Sequence, residues 1–329
     1  MPLIDQSFYK PPHYLKSGHL QIFINALLRK PEIVQYQRER INTDDGDFLD
    51  LDWLRNDSSH LAILCHGLEG DTKSISILGI AGALQKRGWD VLAWNFRSCG
   101  GVMNQTPRFY HGGATDDLER VIQKAFLSHP AQTIALVGFS LGGNLILKYL
   151  GERAHDPRIS RAVTFSVPID LSASSHRMAL SENRIYMRHF LKTMREKILK
   201  KRAILPDHLP FDRLPKIKTF HEFDDLFTAP LHGFQNAEDY YQQASSQNYL
   251  KEIKIPTLLV NARNDPFLTA SCYPTALAKE HKHLFLETPH SGGHCGFLPE
   301  NCQGECWSES RTLTFLEEED FEIEKQLTF

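Results

Sequence analysis

The chain has 329 residues, enough for one large α/β domain carrying an insertion or for two smaller domains, and 41% of them are hydrophobic, too many for a disordered chain. A formal net charge of -3 offers no electrostatic footprint for nucleic acid as a partner. No run approaches the ~18 apolar residues of a membrane span, and residues 1–19 lack the apolar h-region of a signal peptide, so a cytoplasmic location is expected.

After an aromatic-rich N-terminal stretch without regular pattern, Ile33–Ile41 and Phe48–Leu54 read as strands, with Asp44-Asp45-Gly46-Asp47 as the hairpin turn between them. Apolar strand runs then alternate with helical ones. Leu61–Cys65 is a short buried strand, and Ile75–Arg87 carries apolar residues at helical spacing and closes at Gly88, which suits a C-cap. Trp89–Phe96 is the next strand, followed by a loop over 97–113 rich in Gly, Asn and Pro. Thr115 is placed to cap a helix reaching about Leu127, with Asp116 and Asp117 in its first turn. Thr133–Val137 is a strand and Leu141–Glu152 a helix, while Ala162–Val167, Thr257–Val260 and Leu284–Leu286 supply three more strands. Eight strands alternating with helices predict a mostly parallel sheet covered on both faces, mixed only by the initial hairpin.

Strand signals vanish between about Leu171 and Tyr249. Met187, Phe190, Leu191, Met194 and Ile198 form an apolar stripe at helical spacing. Residues 181–222 hold 11 Lys and Arg against 5 Asp and Glu. The expected organisation is a core in two parts, 1–170 and 250–329, with 171–249 inserted as a helical cap over the C-terminal edge of the sheet, where open α/β sheets place their sites. The basic excess reads first as a solvated face of a cap packed on the body, and second as a weak contact with an anionic lipid surface.

Gly138-Phe139-Ser140-Leu141-Gly142-Gly143 directly follows a strand and directly precedes a helix. That context turns a weak G-x-S-x-G pattern into a sharp turn exposing a serine hydroxyl at a helix N-terminus, so Ser140 is the candidate nucleophile. A serine needs a base, and the base needs an orienting carboxylate. In this architecture they follow in the order Ser, Asp, His beyond later strands. Asp265 ends a strand-derived segment whose neighbour Asn264 offers no competing carboxylate, and His294 lies after the last strand between glycines. His290 is the rival base, and the Gly292-Gly293 setting selects His294. For the oxyanion, the backbone N–H groups of Leu141 and of Leu68, in His66-Gly67-Leu68-Glu69-Gly70, are the candidates. Glu69 and Asp71 would either position substrate or cap the next helix.

Cys295, Cys302 and Cys306 crowd beside His290 and His294, but the gap between Cys295 and Cys302 does not suit a zinc site, and reduced loop thiols without metal are expected. Phe190 and Met194, on the cap stripe, are expected to line the substrate pocket or to pack against the body.

Together these residues resemble the YheT-like branch of the α/β hydrolases. The blocks that match are His66 to Gly70, Asn95-Phe96-Arg97-Ser98-Cys99-Gly100-Gly101, Gly138 to Asn144, Phe223-Asp224-Asp225, Ala229-Pro230-Leu231-His232-Gly233-Phe234, Asn264-Asp265-Pro266-Phe267, and Gly292-Gly293-His294 with Gly296-Phe297. They run in family order through nearly the whole chain. Ser98 and Cys295 depart from commoner residues, and neither removes a reactive group. The resemblance implies a Ser140–Asp265–His294 triad, no cofactor, and short- to medium-chain acyl or lipid esters as small-molecule substrates. An acyltransferase with an alcohol acceptor and a non-catalytic binding member of the fold are the alternatives.

Overall fold

The computed structural model describes residues 3–4, 7–153, 156–299 and 304–317. Its strands are β1 (Leu3–Ile4), β2 (Gln37–Asn42), β3 (Phe48–Leu54), β4 (His60–Cys65), β5 (Asp90–Asn95), β6 (Thr133–Phe139), β7 (Ile159–Phe165), β8 (Thr257–Val260) and β9 (Leu284–Glu287). They form one sheet in the order β1-β9-β8-β7-β6-β4-β5-β3-β2. Only β3 runs against its neighbours β2 and β5; every other pair is parallel.

The alternation of strand side chains builds both layers of the core. In β4, Leu61, Ile63 and Cys65 join one apolar cluster and Ala62 and Leu64 the other; in β6, Ile134 and Leu136 face one way and Ala135 and Val137 the other. Helices α1 (Gly18–Leu28), α2 (Ile75–Lys86), α3 (Thr115–Ser128) and α4 (Leu141–Glu152) precede a strandless stretch. That stretch holds α5 (Leu171–Met178), α6 (Arg184–Lys201), α7 (Phe220–Phe223), α8 (Ala229–His232) and α9 (Ala237–Ala244); α10 (Thr275–Glu280) and α11 (Trp307–Glu317) are the last helices among the described residues. Residues of α3, α4 and α10 pack in the first cluster, and those of α2 and α11 in the second, so helices cover both faces. Met187, Leu191 and Ile198 of α6 are buried in a separate cluster with Phe223, Phe227 and Phe267. A π-helical turn, Asp224–Thr228, joins α7 to α8. Pro230 lacks the N–H an α-helical ladder would need there. No helix among the described residues is long and apolar enough to cross a membrane.

Several expectations need correction. Among the described residues the sheet has nine strands rather than eight, because Leu3–Ile4 adds a two-residue edge to β9, too short to leave a pattern. The first long strand begins at Gln37, not Ile33: the register Asn42↔Phe48 puts Gln37 opposite Trp53, and β3 ends one residue later. Thr115 is not a cap. Ala114 takes the cap position, and the Thr115 hydroxyl donates to Glu152 Oε2 at 2.7 Å. The N-terminal stretch expected to be irregular contains α1, whose buried residues are Gly18, Gln21 and Asn25 rather than an apolar face.

Candidate active site

Ser140 sits between β6 and α4 with φ 52° and ψ -120°, a conformation a non-glycine residue adopts only when its surroundings impose it. A Cβ on Gly142 would lie 2.4 Å from the carbonyl oxygens of Cys65 and His66, and one on Gly138 would lie 2.7 Å from Ile146 Cδ1. Gly142 therefore lets the start of α4 press against the end of β4, and Gly138 lets α4 lie close on β6. The Ser140 N–H donates to Phe165 O at 2.8 Å, which ties the turn to β7. The loop after β4 is brought alongside: a Cβ on Gly67 would stand 3.3 Å from Ser140 Cβ.

Beyond β8, Asn261 is fully buried and holds the chain with three bonds: it accepts from Val167 N–H and donates to the carbonyls of Val167 and Cys272. Four residues on, the buried Asp265 accepts from Phe267 N–H through Oδ1 at 2.9 Å and from His294 Nδ1 through Oδ2 at 2.8 Å. His294 Nε2 then lies 2.9 Å from Ser140 Oγ. With its Nδ1 proton directed at Asp265, the ring presents a lone pair to the serine O–H, a tautomer assigned from these bonds. His290, by contrast, is exposed at the surface. The structure thus brings Ser140, His294 and Asp265 into one hydrogen-bonded line.

Leu68 and Leu141 line the same space. Leu141 opens α4, where the first N–H groups have no acceptor within the helix. Leu68 lies in a turn closed by Gly70 N–H on Gly67 O at 3.1 Å, and its own N–H donates no bond among the described residues. His66 holds this turn: Nδ1 donates to Gly67 O at 2.7 Å and Nε2 accepts from Phe96 N–H at 3.0 Å. Burial pushes the His66 imidazole down to about 3, so it stays neutral and keeps both bonds. Glu69 meets Tyr110 OH at 2.7 Å and the Lys197 ammonium at 2.9 Å, while Asp71 accepts from Lys73 N–H in the turn before α2.

The loop carrying His294 is held by residues with no individual signal in the sequence. Gln21, fully buried on α1, accepts from Gly292 N–H at 2.7 Å, and Asn25 donates to Cys295 O at 3.1 Å. Asn264 Oδ1 accepts from Gly293 N–H, and the Ser166 hydroxyl from Cys295 N–H, both at 2.9 Å. The one available hint was two amides inside the otherwise apolar run of α1. Of the three crowded cysteines, Cys302 lies outside the described residues, Cys306 is buried beside Leu15 and Leu298, and Cys295 faces the cavity. Burial pushes the Cys295 thiol up to about 12, which keeps it protonated and unreactive near neutrality.

A cavity of about 290 Å³ opens above Ser140, with Phe190, Met194 and Phe220 on one wall and Phe267 and His294 on another. A smaller one of about 60 Å³, lined by Phe109, Phe223 and Phe227, shares Leu68 and Met194 with it. One carboxylate borders both: Asp224 accepts from Thr228 Oγ1 at 2.6 Å and Tyr241 OH at 2.7 Å. Burial outweighs those two bonds and pushes it up to about 6 from an ordinary 3.8. Between these values the folded state binds the extra proton, so this group's contribution to stability falls as pH rises from about 4 to above 6. The shift corresponds to up to about 3 kcal/mol. Asp224→Asn is expected to remove that slope, read as the difference between wild-type and variant urea unfolding at pH 4.5 and 7.5. Parallel pH profiles would show an ionised, hydrated Asp224 instead.

The comparisons with known proteins give the fold and the family. The sequence profile of the alpha/beta hydrolase fold matches residues 63–300. The YheT protein of Escherichia coli (strain K12) is 35% identical over 93% of this chain and 92% of its own length. Phospholipase ABHD3 of Homo sapiens is 31% identical over 90% of this chain and 75% of its own. Among solved structures, the Pyrococcus furiosus esterase Pf2001 superposes with a TM-score of 0.59 at 21% identity, over 87% of this chain and 95% of that one, a likeness of fold. The chain belongs to the α/β-hydrolase fold family, in its YheT-like branch.

Proposed function

We propose that this protein hydrolyses carboxylic acyl esters through an acyl-enzyme on Ser140. The observation that carries the reading is the line Asp265–His294–Ser140, at 2.8 and 2.9 Å, lying at the wall of a largely apolar cavity. Ser140 Oγ attacks the ester carbonyl while its proton passes to His294 Nε2, and the Asp265 carboxylate stabilises the imidazolium that results. The N–H groups of Leu68 and Leu141 receive the oxyanion, at a helix N-terminus whose dipole favours negative charge. The alcohol leaves with the proton from His294, and water then repeats the sequence to free the acid. Residues 171–249 serve as a cap inserted between two parts of the core, 1–170 and 250–329. An acyl substrate is favoured also because a relative with 31% identity is named a phospholipase.

The test is a panel of esters of increasing acyl length, with mass-spectrometric location of a serine-directed phosphonate on Ser140. Within that panel Phe190 and Met194 are assigned to the acyl chain. Phe190→Ala is expected to lower kcat/KM for longer esters by roughly 10- to 100-fold, the equivalent of about 1.5–3 kcal/mol of lost apolar contact, while sparing acetate. Leu191→Ala, one residue away but buried in the cluster with Phe223 and Phe227, is expected to lower stability by about 2–5 kcal/mol without chain-length preference. Equal losses for every chain length in Phe190→Ala would remove the acyl-pocket assignment.

A further inference from the structure

Helix α1 is amphipathic in the wrong sense for a helix that meets only water on its outer side. Its buried positions are Gly18, Gln21 and Asn25, flanked by half-buried Ile22 and Ile24 on neighbouring apolar clusters, and the two amides hold the backbone of the His294 loop. Its outward positions include Leu20, Phe23, Leu27 and Leu28; Leu27 is 72% and Leu28 64% exposed. Leu20, Phe23 and Leu27 fall at i, i+3 and i+7, on one face. The helix contains no charged residue. Tyr186 of α6 stacks on His19 at 5.7 Å and on Phe23 at 5.4 Å, so the exposed start of α6, with Ile185, adjoins this surface. Isolated exposed leucines need no explanation, but a contiguous apolar face built on inward amides marks a surface that meets something apolar.

The charges around the face select the occupant. Lys16 and Lys30 flank α1, and Arg184, Arg188 and Lys192 stand exposed on α6. None of these five takes part in an ion pair among the described residues; of the acids close by, Glu32 is matched with Lys86 and Glu182 with Arg177, and Glu196, one turn beyond Lys192, lies outside the first turns of α6. An uncharged apolar helix rimmed by unpaired cations fits the interface of an anionic bilayer, with side chains in the acyl boundary and ammonium and guanidinium groups among phosphates. We propose that the outward face of α1, with the exposed side of the first turns of α6, docks this protein on anionic lipid surfaces.

The same face is coupled to the site by ring contacts. Phe23 meets Tyr186, Tyr186 meets Phe267 at 4.9 Å, and Phe267 meets His294 at 4.5 Å. Docking would hold the cavity wall beside the lipid. That a membrane-resident ester then reaches Ser140 rests on the hydrolase reading; the docking itself does not.

The test uses the full chain and sedimentation with vesicles of phosphatidylcholine containing about 30% phosphatidylglycerol. Wild-type protein is expected to sediment with these vesicles, and to be released by high salt or by omitting the anionic lipid. Leu27→Glu combined with Leu28→Glu is expected to weaken binding by about tenfold or more while leaving the melting temperature and turnover of a water-soluble short ester unchanged. Wild-type protein left in the supernatant, or a double variant that binds as well as wild type, overturns the proposal. So does a concentration-dependent dimer that the double variant dissolves, which would assign the face to a second copy. Vesicle binding without turnover of any ester would sink the hydrolase reading and leave the docking standing.

Discussion

Ser140→Ala is expected to abolish covalent labelling by a fluorophosphonate and to lower ester turnover on the order of 10^4-fold or more. The size of the effect follows from where Ser140 stands. Its Oγ is the atom within 2.9 Å of His294 Nε2, on a turn whose strained φ the glycines at 138 and 142 sustain. Removing the hydroxyl takes away the covalent step while leaving the cavity and the Leu68 and Leu141 N–H groups, so a residual rate above that in water is expected to persist. The stability cost is expected to be small, because alanine keeps the Cβ that packs on Gly67 and needs no new backbone conformation. His294→Ala should lose nearly as much turnover, and His290→Ala, at an exposed position, almost none. Retained labelling in Ser140→Ala would place the nucleophile elsewhere, and a large loss in His290→Ala would place the base elsewhere.

The proximity of Ser140, Asp265 and His294 was legible in the sequence because each lies in the segment that leaves the end of a buried strand, one, five and seven residues beyond β6, β8 and β9. Such strands read as unbroken apolar runs, and the ends of parallel strands converge on one edge. The glycines were legible for a related reason: small residues around Ser140 and before His294 mark close backbone approach before the approaching partner is known. What supports the site was not legible. Gln21 lies 271 positions from Gly292 and Ser166 lies 129 from Cys295, and each acts through a backbone N–H that any residue would carry. Helix α1 was missed because its buried residues are a glycine and two amides, while its apolar residues are divided between half-buried Ile22 and Ile24 and the exposed Leu20, Phe23, Leu27 and Leu28. Asp224 could be read as part of a family block but not as a carboxylate buried in a cavity wall, since its partners Thr228 and Tyr241 arrive through a π turn and another helix.

Asp265→Asn is expected to lower turnover on the order of 10^4-fold while leaving the protein folded. Asparagine has nearly the volume of aspartate, so packing around the position is kept. The two carboxylate oxygens, however, both serve as acceptors: Oδ1 for Phe267 N–H and Oδ2 for His294 Nδ1–H. An amide has one oxygen and one NH2 group, so either orientation sets a donor against a donor. If the oxygen stays with the fixed Phe267 N–H, the NH2 faces His294, and the imidazole relieves the clash by moving its proton to Nε2. That nitrogen then points an N–H at Ser140 and cannot accept the serine proton. If the amide turns round, the Phe267 N–H is left buried against NH2, which costs about 1–3 kcal/mol. The first arrangement is therefore expected to prevail, with a small change in melting temperature and phosphonate labelling slowed in step with turnover. Measuring kcat, labelling rate and melting temperature on the same preparation decides the matter. Turnover within tenfold of wild type would show that Asp265 only shapes the turn before Phe267, and that the proton from Ser140 is accepted without help from a buried carboxylate.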